Sequence, residues 1–495
     1  MSLDRLYTAH EIRLMDRVLI TDYGISGLTL MARAADGAVE AALEAFPDAR
    51  RCWVMCGSGN NAGDGYLVAL KLVAKARDVT VVQVGDVSKL GADAEEARMM
   101  CLSAGIELCA WEQVSNDISP DVDFFVDALL GVGASGPPRD PFDQAIRWLN
   151  AQTAPVISLD LPSGLHPDEG RVQGVCVKAT HTVTFIADKL GLHAEAGPDY
   201  SGRITVCDLG APPALYANFN PAGVERIQAK ALPPRPRASH KGNFGHVLVV
   251  GGDEGMAGAA LLAGEAALRV GAGLVTLATH PSHASSISAF RPELMVRGVS
   301  DAEMLAPLIE RAEVVAIGPG LGQSGWSIDL FEHVLQADRP MVVDADALNL
   351  LARSPRPLKD AILTPHPKEA ARLLNQTAID SDRLGVLSAL QARYESVVVL
   401  KGAATLIHDG EAIWMNTLGS PGMASAGMGD ALTGCIAGLA VQMKPLAEAA
   451  VQGVAHHGRA GFWAAGELGE AAMLASDLIQ RLGRSLRGDG DAART

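Results

Sequence analysis

Short apolar runs alternate with helical periodicity along most of this chain. RCWVMC (51–56), DVTVVQVG (78–85), DFFVDALLG (123–131), PVISLDLP (155–162), HTVTFIA (181–187) and RITVCDLG (203–210) are rich in β-branched or aromatic residues, as buried strands are. Ahead of them, residues 5–46 read as two helices, the second, GLTLMARAADGAVEAALEAF (27–46), with a continuous apolar face. Strands that alternate with helices predict a mostly parallel sheet. The rhythm fails across 211–243, where six prolines interrupt any period. A domain boundary is placed there, giving domains 1–225 and 226–495. The alternation then resumes with GHVLVVGG (245–252), GLVTLAT (273–279), EVVAIGPGLG (313–322), PMVVDADAL (340–348), AILTPH (361–366) and SVVVLKG (396–402). TLIHDGEAIWMN (405–416), a glycine-rich loop and a long apolar helix, DALTGCIAGLAVQ (430–442), follow. The tail, 483–495, is polar and expected to fray.

Composition agrees with two α/β domains. At 495 residues the chain exceeds one ordinary core, and 52 glycines with 4% aromatics suit tight strand–helix turns. A net charge of −16 argues against nucleic acid or an anionic membrane as partner. Phosphate must then be bound by local backbone N–H groups. The first residues lack a signal-peptide core and no uncharged run is long enough to span a bilayer. Seven irregularly spaced cysteines read as reduced thiols, with Cys52 and Cys56 as buried apolar residues. A cytoplasmic homo-oligomer is expected.

The chemistry concentrates in glycine turns. In PGMASAGMGDALTG (421–434), Gly422, Gly427 and Gly429 permit a nest of inward N–H groups at a helix N-terminus. Such a pocket suits a phosphoryl group in flight, with Asp430 accepting a proton from a substrate hydroxyl. Alone, the motif reads equally well as a tight turn with Asp430 as N-cap. It is joined, however, by KGAAT (401–405), GPGLG (318–322) and TPHPKEA (364–370), all at strand ends, where open α/β sheets bind ligands. No Walker A sequence is present, so the nucleotide site is not a P-loop.

These segments, with HKGNFGHVLVVGGDEGMAG (240–258) and VVDADALN (342–349), resemble the nucleotide-dependent NAD(P)H-hydrate dehydratases over 235–485. The resemblance implies a ribokinase-like α/β fold. The implied substrate is the S epimer of NADHX or NADPHX, nicotinamide cofactors hydrated at C6. ADP, or ATP, phosphorylates the C6 hydroxyl with Mg²⁺ present, and phosphate loss restores NAD(P)H; ADP would give AMP and phosphate. Carried across, Asp430 is the base and contacts the hydrate with Gly258, Ala259, Gly322 and His366. Lys401, Gly402, Ala403, Ala404, Thr405 and Gly429 contact the nucleotide. Taken by itself, His366 more often serves a loop. Ser420 and Ala426 stand where the family commonly has Asn and Gly, and Ala426 is expected not to need a positive φ.

In the first half, GSGNNAGDG (57–65) satisfies the G-x-G-x-x-[GA] dinucleotide fingerprint, with Asp86 as a loosely placed ribose acid. That pattern leaves Asn60, Asn61 and Asp64 unexplained. Other strand ends supply VDALLGVGASGPP (126–138) and SLDLPSGLHPDEG (158–170). Asn61, Asp127 and Ser163 are hard oxygen donors suited to a monovalent cation, although each alone is commoner as a turn residue. Asp160 follows an apolar run where desolvation favours proton transfer. With LMARAADGAVEAAL (30–43) and FIADKLGL (185–192), these segments resemble the NAD(P)H-hydrate epimerases over 5–215. That family implies a Rossmann-like α/β/α three-layer sandwich that interconverts the R and S epimers. By the resemblance Asn60, Asn61, Ala62, Gly63, Asp64, Gly131, Val132, Gly133, Ala134, Ser135, Gly136, Pro137 and Asp160 bind the hydrate. Asp160 is the acid/base, and Asn61, Asp127 and Ser163 hold K⁺. Lys189 is a further substrate candidate, with a solvated surface lysine the commoner fate. Ala62 replaces the usual Gly and its Cβ is expected to face solvent or ligand. The rival readings are a ribokinase-like small-molecule kinase with a non-catalytic front half, a binding module, and an NAD-dependent dehydrogenase.

Overall fold

Two α/β units make up the chain, Met1–Val224 and Glu225–Thr495. The structure, a computed structural model, describes residues 5–114, 120–134, 136–219, 223–379 and 382–487. Ser135 and the end of the tail lie outside the described residues.

The first unit runs α1 (Ala9–Thr21), α2 (Gly27–Ala45), β1 (Arg51–Cys56), α3 (Asn60–Ala74), β2 (Asp78–Gln83), α4 (Ala92–Ser103), β3 (Glu107–Ala110), β4 (Phe124–Ala128), α5 (Phe142–Asn150), β5 (Val156–Leu159), β6 (His181–Phe185) and β7 (Arg203–Cys207). Thr8 starts α1 with a capping box: its hydroxyl accepts from Glu11 N at 3.3 Å while Glu11 Oε2 accepts from Thr8 N at 2.8 Å. The strands pair in parallel in the order β3-β2-β1-β4-β5-β6-β7. Both faces are covered, so successive strand residues enter opposite cores. Val54 and Phe124 pack with α1 to α4, and Met55 and Phe125 pack with Trp148 of α5. Strand order reverses between β1 and β4, which opens a crevice beyond their carboxyl ends.

The second unit runs β8 (His246–Val250), α6 (Ala257–Arg269), β9 (Leu274–Thr279), β10 (Met295–Gly298), β11 (Val314–Ile317), α7 (Gly325–Leu335), β12 (Met341–Val343), α8 (Ala345–Arg353), β13 (Ala361–Leu363), α9 (Pro367–Leu373), α10 (Arg383–Tyr394), β14 (Val397–Leu400), β15 (Thr405–His408), β16 (Ile413–Asn416), α11 (Met428–Ala440), α12 (Leu446–Leu468) and α13 (Ala475–Ser485). Within it the strands lie in the order β16-β15-β14-β13-β12-β11-β8-β9-β10, with the β14-β15-β16 end antiparallel. Small residues let α6 and α11 touch through their backbones: a Cβ on Gly434 would overlap the Ala263 carbonyl.

The apolar runs named above form strands, but β3 and β10 carry no such signal. Both are short edge strands, ELCA and MVRG, with polar residues in the run. Cys52 and Cys56 are buried and all seven cysteines are free. Among the described residues no helix is long and apolar enough to cross a membrane.

Candidate active sites

A cavity of about 510 Å³ lies at the carboxyl ends of β1, β4 and β5, with α1 and α2 forming its far wall. Asp160 projects into it from the residue after β5. Its backbone is left-handed, φ 68°, a conformation that Asp tolerates better than most residues and that aims the carboxylate sideways. Oδ1 meets Lys189 Nζ at 2.7 Å and Oδ2 accepts from Val132 N at 3.2 Å. Lys189 is fully buried, which overturns its reading as a solvated surface lysine. The chain after β6 folds its ammonium inward, where Thr184 Oγ1 at 2.6 Å and the Phe185 carbonyl at 3.1 Å take its other protons. A buried ammonium without such partners would be prohibitively costly.

Asp64 and Asp16 share the cavity with Asp160. Burial pushes the Asp64 carboxyl well up, and the neighbouring Asp160 and Asp16 add to it. Asp16 is raised for the same reasons, burial first and then Asp160. The site thus gathers several carboxyls around one buried ammonium.

Asn61, Asp127 and Ser163 come together behind the crevice. Asp127 and Ser158 are register partners on β4 and β5, and Ser158 Oγ donates to Asp127 Oδ2 at 2.8 Å. Ser163 donates to the same carboxylate from Oγ at 2.6 Å and from N at 2.9 Å. Asn61 Nδ2 donates to the carbonyls of Leu130 and Leu159, while its buried Oδ1 has no hydrogen-bond partner among the described residues.

The remaining first-half residues divide. Asn60, Gly131, Val132, Gly133 and Ala134 line the large cavity, whereas Ala62 and Gly63 do not. Ala62 is fully buried in the core beneath α3, so its Cβ faces neither solvent nor ligand, which overturns the expectation. One residue beyond Asn61, it points about 100° round the helix. Gly136 lines a separate cavity of about 30 Å³, and Pro137 lines neither. Asp86 is exposed, does not line the cavity, and accepts from Ser88 N at 3.0 Å.

In the second unit, Gly427 is the N-cap of α11 with φ 86°, and Asp430 stands in the helix's first turn. The cap is the glycine, so Asp430 is not the N-cap. Of the three glycines only Gly427 uses positive φ, and Ala426 avoids it as expected. Ser420 caps the preceding turn by accepting from Gly422 N at 3.2 Å. The Asp430 carboxyl makes no hydrogen bond among the described residues. It is pushed up to about 6, by burial first and then by Asp344, with Lys401 opposing.

Lys401 is claimed by acids. Its Nζ lies 2.7 Å from Asp344 Oδ1 and 3.9 Å from Glu369 Oε2. Asp344 Oδ2 accepts from Thr433 Oγ1 of α11 at 2.7 Å, which ties the β12 and β14 ends to that helix. Glu369 is pushed up to about 7, chiefly by burial. His366 caps α9: Nδ1 accepts from the N–H groups of Lys368 and Glu369, and its Nε2 lies 3.4 Å from Glu369 Oε1. Gly322 N donates to Asp346 Oδ2 at 2.9 Å. Gly258 and Ala259 are in the first turn of α6, and Gly258 is exposed. Around the 401–405 turn, Gly402 and Ala403 are exposed, while Ala404 and Thr405 are buried. Among the described residues no group of three His, Cys, Asp or Glu side chains is arranged to hold a metal. Asp344, Glu369, Thr433 and Asp16 carried no individual signal in the sequence, although the first three lie in the strand-end segments quoted above.

Two family models match the chain: one described as YjeF-related protein N-terminus over residues 27–191, the other as NAD(P)H-hydrate dehydratase over 247–484. The bifunctional NAD(P)H-hydrate repair enzyme of Coxiella burnetii is 44% identical, covering 96% of this chain and 98% of the relative. That of Escherichia coli K12 is 40% identical, covering 97% and 93%. An ADP/ATP-dependent NAD(P)H-hydrate dehydratase from Bacillus subtilis, crystallised with ATP and Mg²⁺, is 32% identical with a TM-score of 0.47, covering 52% of this chain and 93% of that one.

Proposed function

The chain belongs to the family of bifunctional NAD(P)H-hydrate repair enzymes, and from that premise we infer how its two crevices divide the work. The first interconverts the R and S epimers of NADHX and NADPHX at C6. The second dehydrates the S epimer to NAD(P)H at the expense of ADP, or ATP. A kinase with an inert front half is the weaker reading, because the relatives named as bifunctional match along nearly their whole length.

The observation that carries the dehydratase assignment is Asp430, an unpaired carboxyl in the first turn of α11 beside Lys401. Hydroxide is a poor leaving group, so the C6 hydroxyl must be converted to a better one. Asp430 takes the hydroxyl proton and the oxygen attacks the terminal phosphorus, breaking its bond to the bridging oxygen of the nucleotide. The N–H groups around 427–430 and the helix dipole stabilise the charge in transit. The ring nitrogen then expels phosphate from C6, and loss of a C5 proton restores the dihydronicotinamide. Lys401 and the exposed backbone of Gly402 and Ala403 face the nucleotide phosphates, and Gly258, Ala259, Gly322 and His366 face the hydrate.

Mg²⁺ fits a crevice without a prebuilt metal cage, since it keeps much of its water and binds largely through phosphate oxygens. The ion would neutralise phosphate charge.

In the first crevice, Asp160 is the acid/base, held by Lys189. Asp160 takes the C6 hydroxyl proton and N1 gains a proton as the C6–N1 bond opens to an aldehyde; closure on the other carbonyl face reverses both transfers and gives the other epimer. K⁺ fits behind it: Asn61 Oδ1 is a buried acceptor lacking a partner, beside Asp127 and Ser163. The ion would fix Asn61 and the 129–134 turn against the substrate.

Asp430→Asn tests the division. Return of the near-ultraviolet absorbance of reduced nicotinamide should fall by at least about 100-fold, with epimer exchange unchanged. Loss of both activities would show that the assignment is wrong.

A further inference from the structure

NADHX is a dinucleotide, and a catalytic centre that handles its nicotinamide ring leaves the adenine to be held elsewhere. In the second unit the 401–405 end of the sheet edge is assigned to the co-substrate nucleotide, so the hydrate must extend toward β8 and β9. A contact chain runs that way. Gly322 N is bonded to Asp346, the loop after β8 is bonded to it through Asp253 N to Gly320 O at 2.7 Å, and Asp253 Oδ2 accepts from Ser324 Oγ at 3.0 Å. It ends in three rings. His283 Nε2 lies 3.2 Å from both Gly255 N and Asp253 O. The His280 ring centroid is 6.2 Å from that of His283 and 5.8 Å, edge to face, from that of Trp326.

All three rings are half-buried, and each is held in place. Trp326 Nε1 donates to the Val299 carbonyl at 2.8 Å, and His280 Nδ1 is 2.8 Å from Ser282 Oγ. The half-buried rings are steeply inclined, 61° between His280 and His283 and 78° between His280 and Trp326, so a base stacked on one ring meets the edges of the others. The two histidines follow β9, three strands from β12 and Asp344, and Trp326 meets them from α7. At about 4.8 Å per strand the separation is roughly 14 Å, a span that suits a pyrophosphate-bridged dinucleotide.

We propose that His280, His283 and Trp326 form the subsite for the adenine ring of the hydrated dinucleotide. The inference rests on the dehydratase reading above and adds to it the recognition of the half of the substrate that does not react. Binding energy gathered there is the same in the ground state and the transition state, and so lowers KM.

The test compares wild type with His280→Ala, Trp326→Ala and Trp326→Phe, using S-NADHX and the hydrate of reduced nicotinamide mononucleotide, each with ADP. The two alanine variants should raise KM for S-NADHX about 5- to 100-fold, the size of a lost base–aromatic stack. The KM for ADP, kcat and all constants for the mononucleotide hydrate should stay near wild type. Trp326→Phe should restore most of the loss. An unchanged KM for S-NADHX, an equal loss with the mononucleotide hydrate, or a loss confined to ADP would each overturn the subsite. His280→Ala leaves the Trp326–Val299 bond intact, so it decides the matter if Trp326→Ala fails to fold. A wild-type protein that converts neither hydrate would refute the dehydratase reading itself and the subsite with it.

Discussion

Replacing Asp344 by Asn isolates the electrostatics of the second crevice. Asp430 is raised from 3.8 to about 6, a displacement of about two units or about 3 kcal/mol against ionisation. Burial supplies the largest part and Asp344 the next, while Lys401 works in the opposite sense. The substitution keeps the side-chain shape and an acceptor for Thr433, but removes one negative charge. It also frees Lys401, now 2.7 Å from Asp344 Oδ1, to turn toward Asp430 and Glu369. Both changes favour ionised Asp430. Because a base works only when deprotonated, dehydration is lost as pH falls through its pKa. The acid limb of kcat/KM should therefore sit near 6 in the wild type and move down by about one unit or more in Asp344→Asn. At neutral pH roughly nine-tenths of Asp430 is already ionised, so the gain appears only below the wild-type limb. Initial rates of NADH recovery between about pH 5 and 8 measure it. A limb that stays in place or moves up would refute the assignment of Asp430 as base under Asp344's influence.

Two further outcomes follow from packing. Lys189→Met leaves the Asp160 carboxylate buried beside Thr184 without its counter-ion. It should destabilise the β5–β6 region by about 3–5 kcal/mol, read as faster amide hydrogen exchange there, with Asp160→Asn in the same chain recovering much of the loss. Gly434→Ala drives a Cβ into the Ala263 carbonyl, so α6 and α11 must separate. A loss of about 1–3 kcal/mol in urea unfolding of the second unit, with epimerisation spared, is expected.

Much of the sheet could be read from local pattern because strands β4, β5 and β14 are buried on both faces and so are largely apolar, broken only by Asp127 and Ser158. The edge strands β3 and β10 face no such requirement, which is why ELCA and MVRG passed unnoticed. The glycine spacing before Asp430 showed where a helix would begin, since a turn with positive φ leaves a compositional mark at Gly427. The partners of Asp430 left none. Lys401 and Asp344 are 57 residues apart, and only parallel strand order brings them together. Lys189 misled for the same reason: its neighbours in sequence are ordinary, and its burial depends on β5 lying alongside β6. Ala62 was misjudged for a local reason, because helical periodicity already turns it away from the Asn61 face.

Two sites act in turn on one damaged cofactor, and an R/S mixture of NADHX with excess ADP tests this in one trace. The wild type should recover the whole of the NADH. Asp160→Asn should recover the S fraction at the wild-type initial rate and then slow to the pace of uncatalysed epimer exchange. Rapid and complete recovery by Asp160→Asn would contradict the claim, because the first crevice would then be dispensable to the repair.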